Sequence, residues 1–183
     1  MRMDVDDESL AQAAGNGDKE AFRLLLERHY DRVYRMAWRF VGDQSDAEDI
    51  AQDVCIGLAR KLRSFKGDAR FTTWLYRVVI NACKDALRRQ ASATKAQETY
   101  AELEPMTRAD NEASKEQSAW LFGALGTLAD DLRETAILVL AEDLSHAEAG
   151  AVLEVKEGTI SWRMSEVRKQ LKAIAQAESG QVI

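Results

Sequence analysis

The stretch SDAEDIAQDVCIGLARKLRSF, residues 45–65, decides the fold class. Its apolar residues Ala47, Ile50, Ala51, Val54, Leu58 and Leu62 recur at three- and four-residue intervals, so a helix of 3.6 residues per turn gathers them on one face. Ser45 and Glu48 match the S-x-x-E capping box that opens such a helix. Gly42, just ahead, supplies a stop for whatever precedes it. Working upstream, Asp18 is a suitable N-cap for a helix to about Val41, with Phe22, Leu26, Tyr30, Val33, Ala37 and Phe40 on one face. A short helix over residues 7–14 is expected before it. Downstream, a loop at 66–70 containing Gly67 leads into FTTWLYRVVINACKDALRR, residues 71–89. This reads as a helix from near Thr72 to Arg89 with Leu75, Val78, Val79, Ala82 and Ala86 inward.

Residues 91–115 lose the apolar period, contain the single proline, Pro105, and are rich in small and polar side chains, with a fragment of helix expected near Tyr100. A segment of that length separates two domains more readily than two elements of one core. Beyond it, helices are expected around 116–125, 129–142, 145–153 and 156–177, with Ser145 and Glu148 forming another capping box. In the last of them Ile160, Met164, Val167, Leu171 and Ile174 make one apolar seam. Short helix, tight turn and longer helix match a helix-turn-helix, and the tiny Gly150 in the first lets the second cross closely. The expected fold is therefore all-α: two small helical domains, residues 1–90 and 116–183, joined by a flexible linker at 91–115.

Composition agrees with a soluble, helix-rich protein: 46% hydrophobic and 31% charged residues, with 10 glycines and few turn formers. No stretch approaches the roughly 20 apolar residues that span a bilayer, and the acidic amino terminus is unlike a signal peptide. A cytoplasmic protein without membrane insertion is expected. Cys55, Cys83, His29 and His146 are isolated from one another at ligand spacing, so no metal or other cofactor is expected and both cysteines read as buried packing residues. The net charge of −6 is unevenly spread. Residues 1–90 hold 16 Lys and Arg against 15 Asp and Glu, whereas residues 116–183 hold 6 against 11. Affinity for duplex DNA rests largely on phosphate neutralisation, so any DNA target requires a partner that supplies the missing affinity.

Three surfaces stand apart from the core pattern. Asp49, Gln52, Asp53 and Ile56 line the outward side of the 45–62 helix, as either an ordinary solvated acidic face or a docking surface for a basic partner. Trp74, Arg77, Asn81, Lys84 and Arg88 share a face of the next helix, with Arg70 and Phe71 upstream. Aromatic rings among cations suit unpaired bases and phosphates, although Phe71 and Trp74 could equally belong to the core. On the second helix of the helix-turn-helix, Lys156, Thr159, Trp162, Arg163 and Glu166 read as exposed, and Arg163 is the side chain best suited to guanine or phosphate.

The order of these features resembles the extracytoplasmic-function (group 4) sigma factors of the sigma-70 family. Residues 45–65 and 71–89 carry the acidic D-A-E-D-x-x-Q-D stretch followed by T-W-L-Y-R-x-x-x-N, similar to sigma region 2. DLSHAEAGAVLEVKEGTISWRMSEVRKQL, residues 143–171, is similar to region 4. The resemblance implies a factor that binds core RNA polymerase and directs promoter recognition and transcription initiation, in a stress or envelope response and under an anti-sigma factor. It implies docking of Asp49, Gln52, Asp53 and Ile56 on the β′ clamp helices. It implies binding of the minus-10 non-template strand by Arg70, Phe71, Trp74, Arg77, Asn81, Lys84 and Arg88. It further implies binding of the minus-35 element by Lys156, Thr159, Trp162 and Arg163, with region 4 also on the β flap. The chain departs from the family pattern at Glu154, where a glycine is usual in the turn, and at Trp162 and Glu166. A non-glycine residue at 154 carries a left-handed backbone cost of roughly 1 to 2 kcal/mol if the turn is kept.

The competing reading is a helix-turn-helix regulator that binds duplex without polymerase, which leaves the acidic and aromatic-basic helices without a use. A helical adaptor that sequesters other regulators is a further alternative, with no use for Arg163. An enzyme is not expected, because the sequence offers no phosphate-binding glycine loop, no nucleophile with a partner base and no metal cluster.

Overall fold

The computed structural model describes residues 5–96, 120 and 123–179, with side chains as far as 92 in the first stretch and 177 in the last. Among them there is no strand. The amino-terminal half consists of α1 (Asp7–Gly15), α2 (Lys19–Val41), α3 (Gln44–Lys61) and α4 (Phe71–Ala96), with a 3-10 turn over Leu62–Ser64. The carboxyl-terminal half has helical residues at 123–127, then α5 (Asp130–Ala136) continuing into a π turn at Ile137–Ala141, α6 (His146–Leu153) and α7 (Glu157–Ser179). The helix expected around 116–125 and the helical fragment near Tyr100 lie largely or wholly outside the described residues.

Local chemistry sets most helix ends. Asp18 caps α2 by accepting from the backbone N–H groups of Glu20 and Ala21 at 2.9 and 3.1 Å. Gly42 closes it in the left-handed region, φ 77°, its N–H donating to the Trp38 carbonyl at 2.8 Å. At α3 the cap is Asp43, which accepts from Asp46 N at 2.9 Å, and Ser45 is already inside the helix. The expected Ser45–Glu48 box is thus displaced by a carboxylate two residues earlier, and Glu48 accepts instead from the Gln44 amide at 2.7 Å. The second box is present in both halves: Glu148 N donates to Ser145 Oγ at 3.2 Å, and Ser145 N to Glu148 Oε2 at 2.9 Å. Two hydrogen bonds from Ser145 hold the Glu148 carboxyl below its ordinary range.

The inward face of α3 is as expected, with Ala47, Ile50, Ala51, Val54 and Leu58 buried. That of α2 is offset by one position in its first half. Ala21, Leu25 and His29 are buried, whereas Phe22 and Leu26 are half-buried and Tyr30 is exposed. The polar His29 enters the core because its Nε2 meets Asp7 Oδ2 at 2.7 Å and its ring packs edge-on to Phe71. On α4, burial reaches beyond the expected stripe to Phe71, which packs on His29 and Phe65, and to Tyr76, Ile80 and Cys83, with α6 packed against this helix, while Ala82 and Ala86 are only half-buried. Cys83 is buried, and burial pushes its thiol up to about 12, while Cys55 is only half-buried. α4 also runs to Ala96, past Arg89 and into the expected linker.

In the carboxyl-terminal half Ile160, Met164 and Val167 are fully buried and fix the rotation of α7. A β-carbon on Gly150 would sit 2.8 Å from the Val155 carbonyl oxygen and 3.7 Å from Ile160 Cγ1, so only glycine permits this approach of α6 to the turn and α7. Glu154 occupies the left-handed region in that turn, φ 57° and ψ 38°, as its departure from the glycine pattern implies.

Candidate functional site

The outward side of α3 exposes Asp49, Gln52 and Asp53, and Ile56 is 77% exposed. Chemically, an exposed aliphatic side chain can lose water against a partner, and the carboxylates around it suit a basic one.

The residues of the aromatic-basic face of α4 and of its entry divide into four groups. Phe71 is completely buried, its ring 5.2 Å from His29, 5.9 Å from Phe65 and 5.9 Å from Trp74. The expectation that Phe71 stacks on a DNA base is corrected: the ring is a keystone of the core, and its backbone N–H donates to Glu8 Oε1 at 2.9 Å. Trp74 is half-buried, edge-on to Phe65 at 5.4 Å, with part of the indole left at the surface. Arg70, Asn81 and Arg88 are exposed. Arg70 stands 3.8 Å from Glu148, and Arg88 is paired with Asp85 one turn earlier.

Arg77 and Lys84, between these exposed positions, are engaged by the carboxyl-terminal half. Arg77 donates through Nε to the Val152 carbonyl at 3.1 Å and through Nη2 to the Ala151 carbonyl at 2.7 Å, and its Nη1 meets Glu154 at 2.9 Å. Those carbonyls belong to the end of α6, where a helix leaves acceptors unpaired and where a cation is favoured. Lys84 Nζ lies 2.5 Å from Glu134 Oε2. Both cations line a shallow cleft between the halves together with Asn81, Glu134 and Glu154.

A second cross-connection lies at Glu142, just beyond the π turn. Its carboxylate accepts from Arg39 Nη1 at 2.7 Å and from the Tyr76 hydroxyl at 3.0 Å, with Arg32 Nε 3.8 Å away. Burial, and then the Glu142 charge, push the Tyr76 phenol up to about 12. Glu134 and Glu142 were not singled out from the sequence. The available signal is an acid at an inward helical position, next to the apolar run Ala136–Leu140.

Lys156, just before α7, is exposed, and on the helix Thr159 is half-buried and Trp162 61% exposed. Arg163 is not where it was expected. Its side chain is only 14% exposed, with Nε 3.4 Å from Asp131 Oδ2 and Nη1 3.4 Å from Glu134 Oε1 and 3.5 Å from Thr135 Oγ1. The correction follows from rotation: Arg163 directly precedes the buried Met164, so its stem turns toward α5, where carboxylates receive it.

The description Sigma-70 region 2 matches residues 25–93. The chain is 33% identical over 170 residues to the ECF RNA polymerase sigma factor SigM of Mycobacterium tuberculosis (strain H37Rv), over 93% of this chain and 85% of that one. It is 31% identical over 182 residues to the ECF RNA polymerase sigma-E factor of Escherichia coli (strain K12), over 93% of this chain and 95% of that one. Among solved structures, CnrH in complex with the cytosolic domain of CnrY has a TM-score of 0.72 at 26% identity, covering 93% of this chain and 97% of that chain.

Proposed function

The chain belongs to the extracytoplasmic-function RNA polymerase sigma factors, and from that premise we propose how its surfaces divide promoter recognition. It is a transcription initiation factor that binds core RNA polymerase and directs it to promoter DNA. The observation that carries the division is Ile56, standing out of the carboxylate face of α3. Asp49, Gln52, Asp53 and Ile56 form the dock for the β′ clamp helices. Arg70, Trp74, Asn81 and Arg88 take the non-template strand of the minus-10 element, joined by Arg77 and Lys84 once these leave their partners on the carboxyl-terminal half. Lys156, Thr159 and Trp162 face the minus-35 element, and the same half meets the β flap. Arg163 supports this half from inside and does not read bases. The chain acts without catalysis of its own. An anti-sigma partner holds it inactive, a reading supported by the similar CnrH, which was solved with the cytosolic domain of a second protein bound.

The test is binding to purified core polymerase. Asp53→Lys reverses one charge of an exposed face and should abolish holoenzyme formation while leaving helicity intact. Retention of full core affinity by Asp53→Lys and by Ile56→Asp alike would remove this face from the dock. Tight, specific binding of promoter duplex by the free chain at physiological salt would sink the division of labour as a whole.

A further inference from the structure

We infer that Trp162 reads the 5-methyl group of a thymine in the minus-35 element, so that this factor selects its upstream element by an apolar contact where an arginine fork would be usual. The inference rests on the placement of α7 against the minus-35 element proposed above. Three observations lead to it.

First, the inward seam of Ile160, Met164 and Val167 is fully buried, which fixes the opposite side of α7 at Trp162 and, two turns on, Lys169. Second, on the N-terminal side, toward which a helical side chain leans, the neighbours of the indole are too small to cover it. Gly158 has nothing within 4 Å of where a β-carbon would be, and Ser161 and Ser165 are exposed. Ser161 is further tied down, its hydroxyl donating to the Glu157 carbonyl at 3.2 Å and lying 2.9 Å from His146 Nδ1. The indole therefore stands proud of the first turns of the helix that a helix-turn-helix inserts into the major groove. Third, Arg163, the side chain able to grip guanine through two bonds, is turned inward onto Asp131 and Glu134.

An indole carries no charge for phosphate and no paired donor and acceptor for a base edge. The apolar feature that the major groove offers is the thymine methyl, which makes this base the complement of Trp162. Lys156, exposed just before α7, is placed for a phosphate on one side of Trp162, and Lys169, exposed two turns on, meets Glu166 Oε1 at 3.4 Å.

The experiment uses holoenzyme reconstituted from the full chain and core polymerase, with run-off transcription on templates randomised across the minus-35 region. Wild type should enrich thymine at one position, and Trp162→Ala should lose that preference while keeping the others. On a selected template, uracil at that position removes the methyl and keeps every polar atom. Wild-type output should fall about fourfold, the equivalent of unburying one methyl group, and Trp162→Ala should show no change. Trp162→Phe should retain part of the effect, and because the indole is exposed both variants should melt as wild type does. Indifference of wild type to uracil, or an equal loss by Trp162→Ala on every template, would overturn the inference; the second result would make Trp162 a protein contact. Absence of run-off from any template with wild type would instead overturn the polymerase reading and this inference with it.

Discussion

Arg163→Ala separates support of the fold from contact with DNA. Truncation takes from Glu134, whose side chain is 5% exposed, one of its two cationic neighbours, and takes from Asp131 its partner across α5 and α7. Removing one member of a buried pair costs about 3–5 kcal/mol when the other is left alone. Here Lys84 still meets Glu134 at 2.5 Å, and the Arg163 contacts, at 3.4 to 3.5 Å, are long for charged hydrogen bonds. The loss is therefore nearer to about 2 kcal/mol, or a fall of about 4–8 °C in Tm for a chain of this size. Thermal unfolding followed by circular dichroism reads the first effect. Run-off transcription with core polymerase, on templates varied singly across the minus-35 element, reads the second. All templates should lose activity in the same proportion, and Arg163→Lys, which keeps the charge without the fork, should recover part of the Tm. An unchanged Tm together with loss of preference at one base pair would refute the reasoning and return Arg163 to the groove.

Three further outcomes are expected. Alkaline pH should destabilise the fold: Tyr76 and Cys83, at about 12 against ordinary values of 10.0 and 9.0, stay neutral in the folded chain while the unfolded chain ionises. Stability is then complete below pH 9 and falls as pH rises from 9 toward 12. Tyr76→Phe should remove about 2 kcal/mol of that fall, and a urea unfolding series unaffected by the substitution would contradict it. Gly150→Ala should cost about 1–3 kcal/mol by forcing a β-carbon against the Val155 carbonyl, whereas Gly158→Ala, with open space around it, should be neutral or slightly stabilising. Comparable melting of the two variants would show that the α6–turn approach is not tight. Glu142→Ala leaves Arg39 and Tyr76 without their common acceptor and should loosen the halves, read as a larger radius of gyration in X-ray scattering; identical curves would show that Glu142 does not hold them.

What was legible in the sequence is what is local. Asp18, Gly42 and the Ser145–Glu148 box act within four residues, and each stands where pattern alone places it. The α3 start went wrong because Asp43 competes with Ser45 for the same helix end, and a pattern match does not rank two caps. On α2 the stripe slipped because His29 is polar by type and becomes a core residue only through Asp7, 22 positions away. The role of Arg163 depends on carboxylates 29 and 32 residues upstream, and the contact between Arg39 and Glu142 spans 103 positions. No periodicity encodes partners at that range. The same limit applies to Arg77 and Lys84, whose type and spacing suit nucleic acid but whose present neighbours are set by how the two halves pack.

On the minus-10 role proposed for Lys84 and Arg77, Glu134 and Glu154 hold these cations as promoter phosphates would, and the chain carries its own competitor for the two of them. Added salt acts on both sides of that competition. It screens the internal pairs, over a distance of about 10 Å at 0.1 M, and it weakens the contacts to DNA through the counterion atmosphere. The two effects oppose each other in the net affinity. A plot of log affinity for the minus-10 strand against log salt concentration is consequently shallower than the cations in contact imply, and the number of phosphates inferred from its slope falls short of the true one by up to the two that the acidic half had already imitated.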